Sequence, residues 1–95
     1  MVKALSTNPK DAEMLANLSA LQLANGKADK AISSAKKAIQ LHPTSGVYVT
    51  LASAYESLKD YKNSLTAYQR AVDLGDKRPE VQQKIDELST TTKKS

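Results

Sequence analysis

The sequence has no cysteine and only one histidine among its 95 residues. No disulfide or thiolate metal site can form, and a histidine-rich metal site is excluded. The one histidine, His42, stands immediately before Pro43, where it is not placed to complete a Ser/His/Asp or Cys/His catalytic set. The three glycines are scattered and form no phosphate-binding loop, and the acidic residues are spread singly rather than paired. We therefore expect neither an enzyme nor a cofactor.

Long hydrophobic runs are also missing. No stretch approaches the ~20 apolar residues of a membrane span, and the first residues, MVKALSTNPKD, lack the apolar core of a signal peptide. We expect a cytoplasmic protein without membrane contact, or one from which a targeting segment has been removed. The net charge of +4, from 14 basic and 10 acidic residues, permits weak association with polyanions but does not demand it.

What the sequence does have is the periodicity of amphipathic helices. Residues 45–74 contain two such patterns, separated by Lys59 and Asp60, with apolar residues at spacings of three and four. A turn this short makes the two helices antiparallel neighbours. One such hairpin cannot bury both of its faces, so it needs similar hairpins beside it.

A similar pair of patterns lies 33 residues earlier. Helices are predicted over residues 10–25 and 28–41, with Gly26 suited to the left-handed position that ends the first. Small residues recur where the two helices of a hairpin must cross closely. The matched small pairs are Ser19 and Ala52, Ala31 and Ser64, and Ala38 and Ala71. At the same shift, Leu18 falls on Leu51 and Leu41 on Leu74.

A last helix is predicted over residues 79–89. Pro79 suits its first position, and Val81, Ile85 and Leu88 form a single narrow apolar stripe. A helix that is apolar on one side only is typical of the end of a repeat array, where the outer face meets water. Residues 90–95 contain no apolar side chain and are predicted to be disordered.

This arrangement resembles the tetratricopeptide repeat. The family's residue types occur at Ala12, Glu13, Asn17, Leu18, Gly26, Asp29, Ala31, Ile32, Lys37, Ala38, Leu41 and Pro43, and again at Leu51, Ala54, Tyr55, Asp60, Tyr61, Leu65, Tyr68, Gln69, Ala71 and Leu74. The resemblance implies an all-α fold, a right-handed α-solenoid of antiparallel helix hairpins. Its expected parts are the tail of a preceding repeat (1–9), repeat 1 (10–43), repeat 2 (44–78), a capping helix (79–89) and the disordered tail (90–95). The chain would then be a fragment of a larger protein of this family.

The second repeat contains all four tyrosines, at positions where the family places core residues. We interpret them as filling between helices rather than as an aromatic binding stripe. Gln22 stands where Tyr55 stands in the second repeat, and Asp76 replaces the family's proline. Gln22 is either half-buried with a hydrogen bond, or exposed because a missing N-terminal repeat would have covered it, and we favour exposure.

The resemblance also implies a binding surface, because the first helices of such repeats line the concave side of the array. The residues expected there are Glu13, Ala16, Asn17, Ala20, Val49, Thr50, Ser53, Ser57 and Lys84. Small side chains leave space for a guest, while Asn17, Thr50 and Ser53 can bond its backbone. We therefore predict a protein–protein interaction scaffold that binds a peptide or helix of a partner in this groove. The competing interpretation is that these residues are small only to let the helices bend inward.

RNA binding is a first alternative, because helical-hairpin repeats of similar period can bind single-stranded RNA. However, the basic residues Lys30, Lys36, Lys37, Lys62 and Arg70 fall on second helices. The concave side carries Glu13 and Glu56, which repel phosphate, so nucleic acid is not the expected partner.

Self-association is a second alternative. The first helix presents an apolar side around Met14, Leu15, Leu18 and Gln22. Dimerisation, or folding of residues 1–7 over this side, would cover it. The expected state is accordingly a monomer or a weak homodimer.

Overall fold

The computed structural model describes residues 9–94, with side chains from Lys10 to Thr91. This part of the chain forms five helices and no strand. They are α1 (Pro9–Ala24), α2 (Ala28–Leu41), α3 (Ser45–Ser57), α4 (Tyr61–Asp73) and α5 (Pro79–Lys94). Each helix packs mainly against its neighbours in sequence, which gives an elongated stack of 47 × 28 × 21 Å. The prediction of an all-α helical-repeat fold is confirmed.

The two hairpins, α1–α2 and α3–α4, are closed by turns of the same construction. Gly26 has φ 78° and Lys59, at the equivalent place in the second turn, has φ 63°. The amide of Lys27 donates to the carbonyl of Gln22 at 2.8 Å, and the amide of Asp60 donates to the carbonyl of Tyr55 at 2.9 Å. These bonds satisfy carbonyls at the end of the preceding helix.

The helices of each hairpin cross at a pair of small residues. In the first hairpin the hydroxyl of Ser19 donates to the carbonyl of Ala31 at 2.7 Å, and in the second the hydroxyl of Ser64 donates to the carbonyl of Ala52 at 2.8 Å. All four residues are fully buried. The serine lies on the first helix in one hairpin and on the second helix in the other, so the same bond crosses the interface in opposite directions.

The core runs between the hairpins and on to α5. It contains Ala35, Ala38, Val47, Leu51, Ala52, Ala67, Tyr68, Val81 and Leu88. Tyr68 is only 3% exposed, and the other three tyrosines are half-buried against the same cluster. The interpretation of the tyrosines as filling between helices is confirmed.

Two structural predictions were wrong. Gln22 is half-buried, not exposed, because the Ser34 hydroxyl of α2 donates to its amide oxygen at 2.8 Å. Helix α5 continues to Lys94, so residues 90–94 are helical rather than disordered. No glycine or proline interrupts α5 after Pro79, and a lack of apolar residues removes core contacts without breaking a helix.

The predictions for the chain ends are tested only in part. Residues 1–8 and Ser95 lie outside the described residues, and with them most of the predicted repeat tail. Pro9, the last residue of the predicted tail, is instead the first residue of α1. A proline in the first turn has no amide bond to lose.

Asp76, which stands in place of the family's proline, organises the linker between α4 and α5. Its carboxylate accepts the backbone amide of Arg78 at 3.0 Å, and the Arg78 guanidinium reaches it at 2.8 Å. These bonds hold the pKa of the Asp76 carboxyl below its usual range. We interpret the ion pair and the amide bond as fixing the linker conformation, which a proline would fix by restricting its own backbone.

Candidate functional site

The predicted concave surface lies on the first helices, α1, α3 and α5. Glu13, Asn17, Ala20 and Ser57 are exposed, while Ala16, Val49, Thr50, Ser53 and Lys84 are half-buried. None of the nine is buried, so each has surface to offer a partner. The structure brings four of them into two groups, one near α1 and one at the junction of α3, α4 and α5.

The end near α1 contains a small cavity beside the linker that precedes α3. Its volume is about 150 Å³, and it is lined by Ala12, Glu13, Ala16, His42, Thr44 and Val47. Of the predicted site residues it brings together Glu13 and Ala16. A cavity this small falls below the usual size of a small-molecule site but can accept one side chain of a partner.

At the other end, three helices meet at Glu56. Its carboxylate accepts the ammonium of Lys84 on α5 at 2.7 Å and the hydroxyl of Tyr68 on α4 at 3.1 Å. The hydroxyl of Ser53 lies 3.4 Å from that of Tyr68. We call these four residues the Glu56 cluster. Of the predicted site residues it brings together Ser53 and Lys84.

Within the Glu56 cluster, the negative charge of Glu56 is paired with the positive charge of Lys84. The hydrogen bond with Glu56 raises the pKa of the Lys84 amine, so Lys84 is charged at neutral pH. Burial raises the pKa of the Tyr68 phenol, and the charge of Glu56 raises it further, so Tyr68 stays a neutral donor. Lys84 is therefore held in an ion pair rather than left open to an anionic partner.

Glu56 was predicted on the concave side only as a charge that repels phosphate, and Tyr68 only as core filling, although both help to build the site. The signal that identifies them is a spacing of 12 residues. Ser19 with Ala31, Gln22 with Ser34, Ala52 with Ser64, and Glu56 with Tyr68 are each 12 apart and each joined by a hydrogen bond across a hairpin. The ring of Tyr68 packs in the core, and its hydroxyl donates to the carboxylate of Glu56.

The predicted residues outside these two groups differ in what they can still bond. The hydroxyl of Thr50 donates to the carbonyl of Gly46 at 3.2 Å within α3, which commits its proton. Asn17 and Ser57 are exposed, and within residues 10–91 no protein group bonds the Asn17 side chain. Asn17 is thus the predicted carboxamide whose donors and acceptor all remain open within residues 10–91.

Other kinds of site find little support in the described residues. Among them, no group of three or more His, Cys, Asp or Glu side chains is placed to hold a metal ion. No helix between Pro9 and Lys94 is long and apolar enough to cross a bilayer.

Comparison with known families matches the chain twice to the tetratricopeptide repeat, over residues 12–45 and 45–74. The two matches meet at Ser45, the first residue of α3, and together span α1 to α4. Repeats of this family generally mediate protein–protein interactions and are typically non-catalytic. With matches over most of its length, and with two hairpins of the same construction, the chain belongs to the tetratricopeptide repeat family.

Proposed function

We propose that the chain binds a short segment of a partner protein along its concave face, with Asn17 as the main hydrogen-bonding group. The observation that carries the proposal is the unpaired carboxamide of Asn17, exposed on α1 between the small residues Ala16 and Ala20. A carboxamide presents both donors and acceptors, so it can pair with the N–H and C=O of one peptide unit. Small flanking side chains let a guest backbone come close enough to do so.

The cavity beside α3 supports a defined register for the guest. Glu13 and Ala16 line it, and Asn17 follows them directly in sequence. A guest whose backbone bonds Asn17 can place a neighbouring side chain in this space. Because Glu13 is the only acidic residue in the lining formed by described residues, and none of these is a lysine or arginine, we expect a small apolar or basic side chain there.

The charge arrangement favours a protein partner over RNA. Lys84 is the one basic residue among the nine predicted site residues, and Glu56 already neutralises it. A phosphate backbone would have to displace that ion pair while approaching Glu13. A peptide needs no such displacement, since its recognition rests on backbone bonds.

The test is a pull-down with the full chain as bait, followed by calorimetric titration of the partner segment recovered. Asn17→Ala should weaken binding by about tenfold or more, which corresponds to roughly 1.4 kcal/mol. Because Asn17 has no partner in the described fold, the free energy of unfolding should change by less than about 1 kcal/mol.

Gln69→Ala is the matched control. Gln69 is also an exposed carboxamide without a described bond, but it lies on the second helix α4. Its substitution should leave affinity unchanged. Equal affinities for both variants, or unfolding of the Asn17 variant, would contradict the proposal.

A further inference from the structure

A second cavity lies between the second helices of the two hairpins, and none of the nine predicted site residues lines it. Its walls include Lys36, Ile39 and Gln40 of α2 and Thr66, Ala67 and Arg70 of α4. Its volume is about 450 Å³, which is within the usual size of a ligand site. We call it the α2–α4 cavity.

The inner lining of the α2–α4 cavity is apolar and aromatic. Tyr48, Leu51 and Tyr55 reach it from α3, and Ile39 and Ala67 join them from the two walls. Leu51 and Ala67 are buried, and the other three are half-buried. A lining of this kind favours a large apolar side chain, because the contact removes apolar surface of both partners from water.

Two positive charges belong to the α2–α4 cavity, and no described acidic residue lines it. The two are Lys36 and Arg70, one on each wall. Neither is ion-paired or hydrogen-bonded to another residue of the described chain. The ammonium of Lys36 lies 6.0 Å from the centre of the Tyr55 ring, which places this charge over an aromatic part of the lining. By contrast, the Lys84 ammonium in the Glu56 cluster is already paired.

We propose that the α2–α4 cavity binds an acidic segment of a protein partner. One large apolar side chain of that segment enters the cavity, and Asp or Glu side chains beside it pair with Lys36 and Arg70. The guanidinium of Arg70 can bond a carboxylate through two parallel N–H groups. The carboxamide of Gln40, which is exposed and has no bond within residues 10–91, can bond the backbone of the segment.

An acidic peptide fits this cavity better than a nucleic acid does. Proteins that bind single strands combine a basic groove along the phosphate backbone with aromatic faces on which bases stack. Here only Lys36 and Arg70 supply charge among the described lining residues, and the rings of Tyr48 and Tyr55 are half-buried between helices. Repeats of this family also generally mediate protein–protein interactions.

The α2–α4 cavity is separate from the concave face of the proposed function. Its walls are second helices, whereas the concave residues lie on α1, α3 and α5. Helix α3 contributes different side chains to the two sites, Tyr48 and Tyr55 here and Thr50 and Ser53 there. Either site can therefore bind or fail to bind independently of the other.

Heteronuclear NMR on the full chain, titrated with short peptides of blocked ends, tests the cavity. The first peptide has tryptophan flanked by an aspartate on each side. It should shift the signals of Gln40, Tyr48 and Arg70, with a dissociation constant on the order of 300 μM. Binding should weaken as salt is added, because the paired charges are at the surface. No saturable shift up to about 5 mM peptide, or shifts confined to α1 and α5, overturns the proposal.

Two altered peptides separate the apolar contact from the charge contact. Alanine in place of tryptophan removes the side chain that fills the cavity, and lysines in place of the aspartates oppose Lys36 and Arg70. Each change should raise the dissociation constant at least about fivefold. Equal affinity of the lysine-flanked peptide would overturn the pairing with the two cations.

Reversal of both cavity charges is the sharper test. The double variant Lys36→Glu with Arg70→Glu should bind the aspartate-flanked peptide at least about tenfold more weakly and should bind the lysine-flanked peptide instead. Lys37→Glu with Lys62→Glu is the matched control, since it changes the net charge equally on the same two helices but outside the lining. All four residues are exposed, so circular dichroism should show unchanged helix content. Equal losses in both double variants would assign the effect to net charge and overturn the proposal.

Two further measurements identify the occupant and the site. Asn17→Ala, which tests the concave face, should change the affinity for the aspartate-flanked peptide by less than about twofold. A single-stranded oligouridylate should bind more weakly than this peptide. Tighter binding of the oligouridylate, lost in Lys36→Glu with Arg70→Glu, would assign the cavity to nucleic acid and overturn the proposal.

Discussion

Lys59 holds a backbone position that is better suited to glycine. Its φ of 63° lies in the left-handed region, as does the φ of 78° at Gly26, the same place in the first turn. For an L-residue with a side chain this conformation costs about 1–2 kcal/mol. The two turns thus have the same backbone conformation, although glycine adopts it readily and lysine does not. A substitution in one turn can therefore be compared with the opposite substitution in the other.

Exchanging residue types at these two positions should shift stability in opposite directions. Lys59→Gly should stabilise the fold by about 0.5–1 kcal/mol, since relief of the strained backbone outweighs the extra freedom of the unfolded chain. Gly26→Ala should destabilise it by about 1 kcal/mol. A β-carbon at Gly26 would meet nothing within 4 Å, so this cost is conformational rather than steric.

Urea denaturation of the two variants, measured beside the wild type, gives both free energies of unfolding. Changes of the same sign would show that the two turns are not equivalent in energy.

At the scale of elements, the sequence predicts the positions and ends of helices where these depend on neighbouring residues in the chain. The apolar spacing places all five helices, and the ends marked by Gly26 and Pro79 agree with the structure to within a residue or two. Thr44 and Asp60 begin α3 and α4 by accepting the backbone amides of Val47 and Asn63.

What the sequence did not predict depends on contacts between elements or on the lack of a stop signal. The bond from Ser34 to Gln22 and the ion pair of Lys84 with Glu56 each join two helices. Their partners become apparent only when the helices are placed side by side. The end of α5 differs from the prediction for another reason, since a run of polar residues predicts disorder by its composition although nothing in it breaks a helix. Of the candidate site, the helix faces were therefore predictable and the Glu56 cluster was not.

The linker between α4 and α5 should respond to acid through Asp76. Arg78 holds the pKa of this carboxyl below its ordinary value of 3.8 in the folded chain. A carboxyl group whose pKa is lower in the folded chain than in the unfolded chain stabilises the fold. That stabilisation is complete above the pKa of the unfolded chain and is lost as the pH falls through the pKa of the folded chain. Asp76→Asn should thus melt at a lower temperature than the wild type at pH 7, and the gap should narrow below about pH 4.

Thermal melts followed by circular dichroism, on both proteins from about pH 7 to about pH 2.5, measure this gap. Other carboxyl groups titrate in both proteins and cancel in the difference. A gap that stays constant over the whole range would mean that Asp76 acts by shape rather than by charge.

At the scale of the whole molecule, the two ends of the stack are unlike. Helix α5 carries its apolar residues on one side, against α4, and its other residues are polar. Helix α1 packs against α2 through one side and exposes Met14, Leu18 and Leu21 on another. In a stack where each helix contacts mainly its neighbours, stability is close to a sum of neighbouring interfaces. The α1 end should therefore be the less stable of the two.

Equivalent leucines in the two repeats measure this asymmetry directly. Leu51 is 7% exposed and belongs to the core, whereas Leu18, at the same place in the first repeat, is 43% exposed. Leu51→Ala should cost about 2–4 kcal/mol, because it leaves a cavity between α2, α3 and α4. Leu18→Ala should cost less than about 1 kcal/mol, because water already reaches much of its side chain. Urea denaturation of both variants, measured beside the wild type, gives the two free energies of unfolding. Equal costs at the two positions would mean that Leu18 is as well packed as Leu51, which would contradict the lower stability expected for the α1 end.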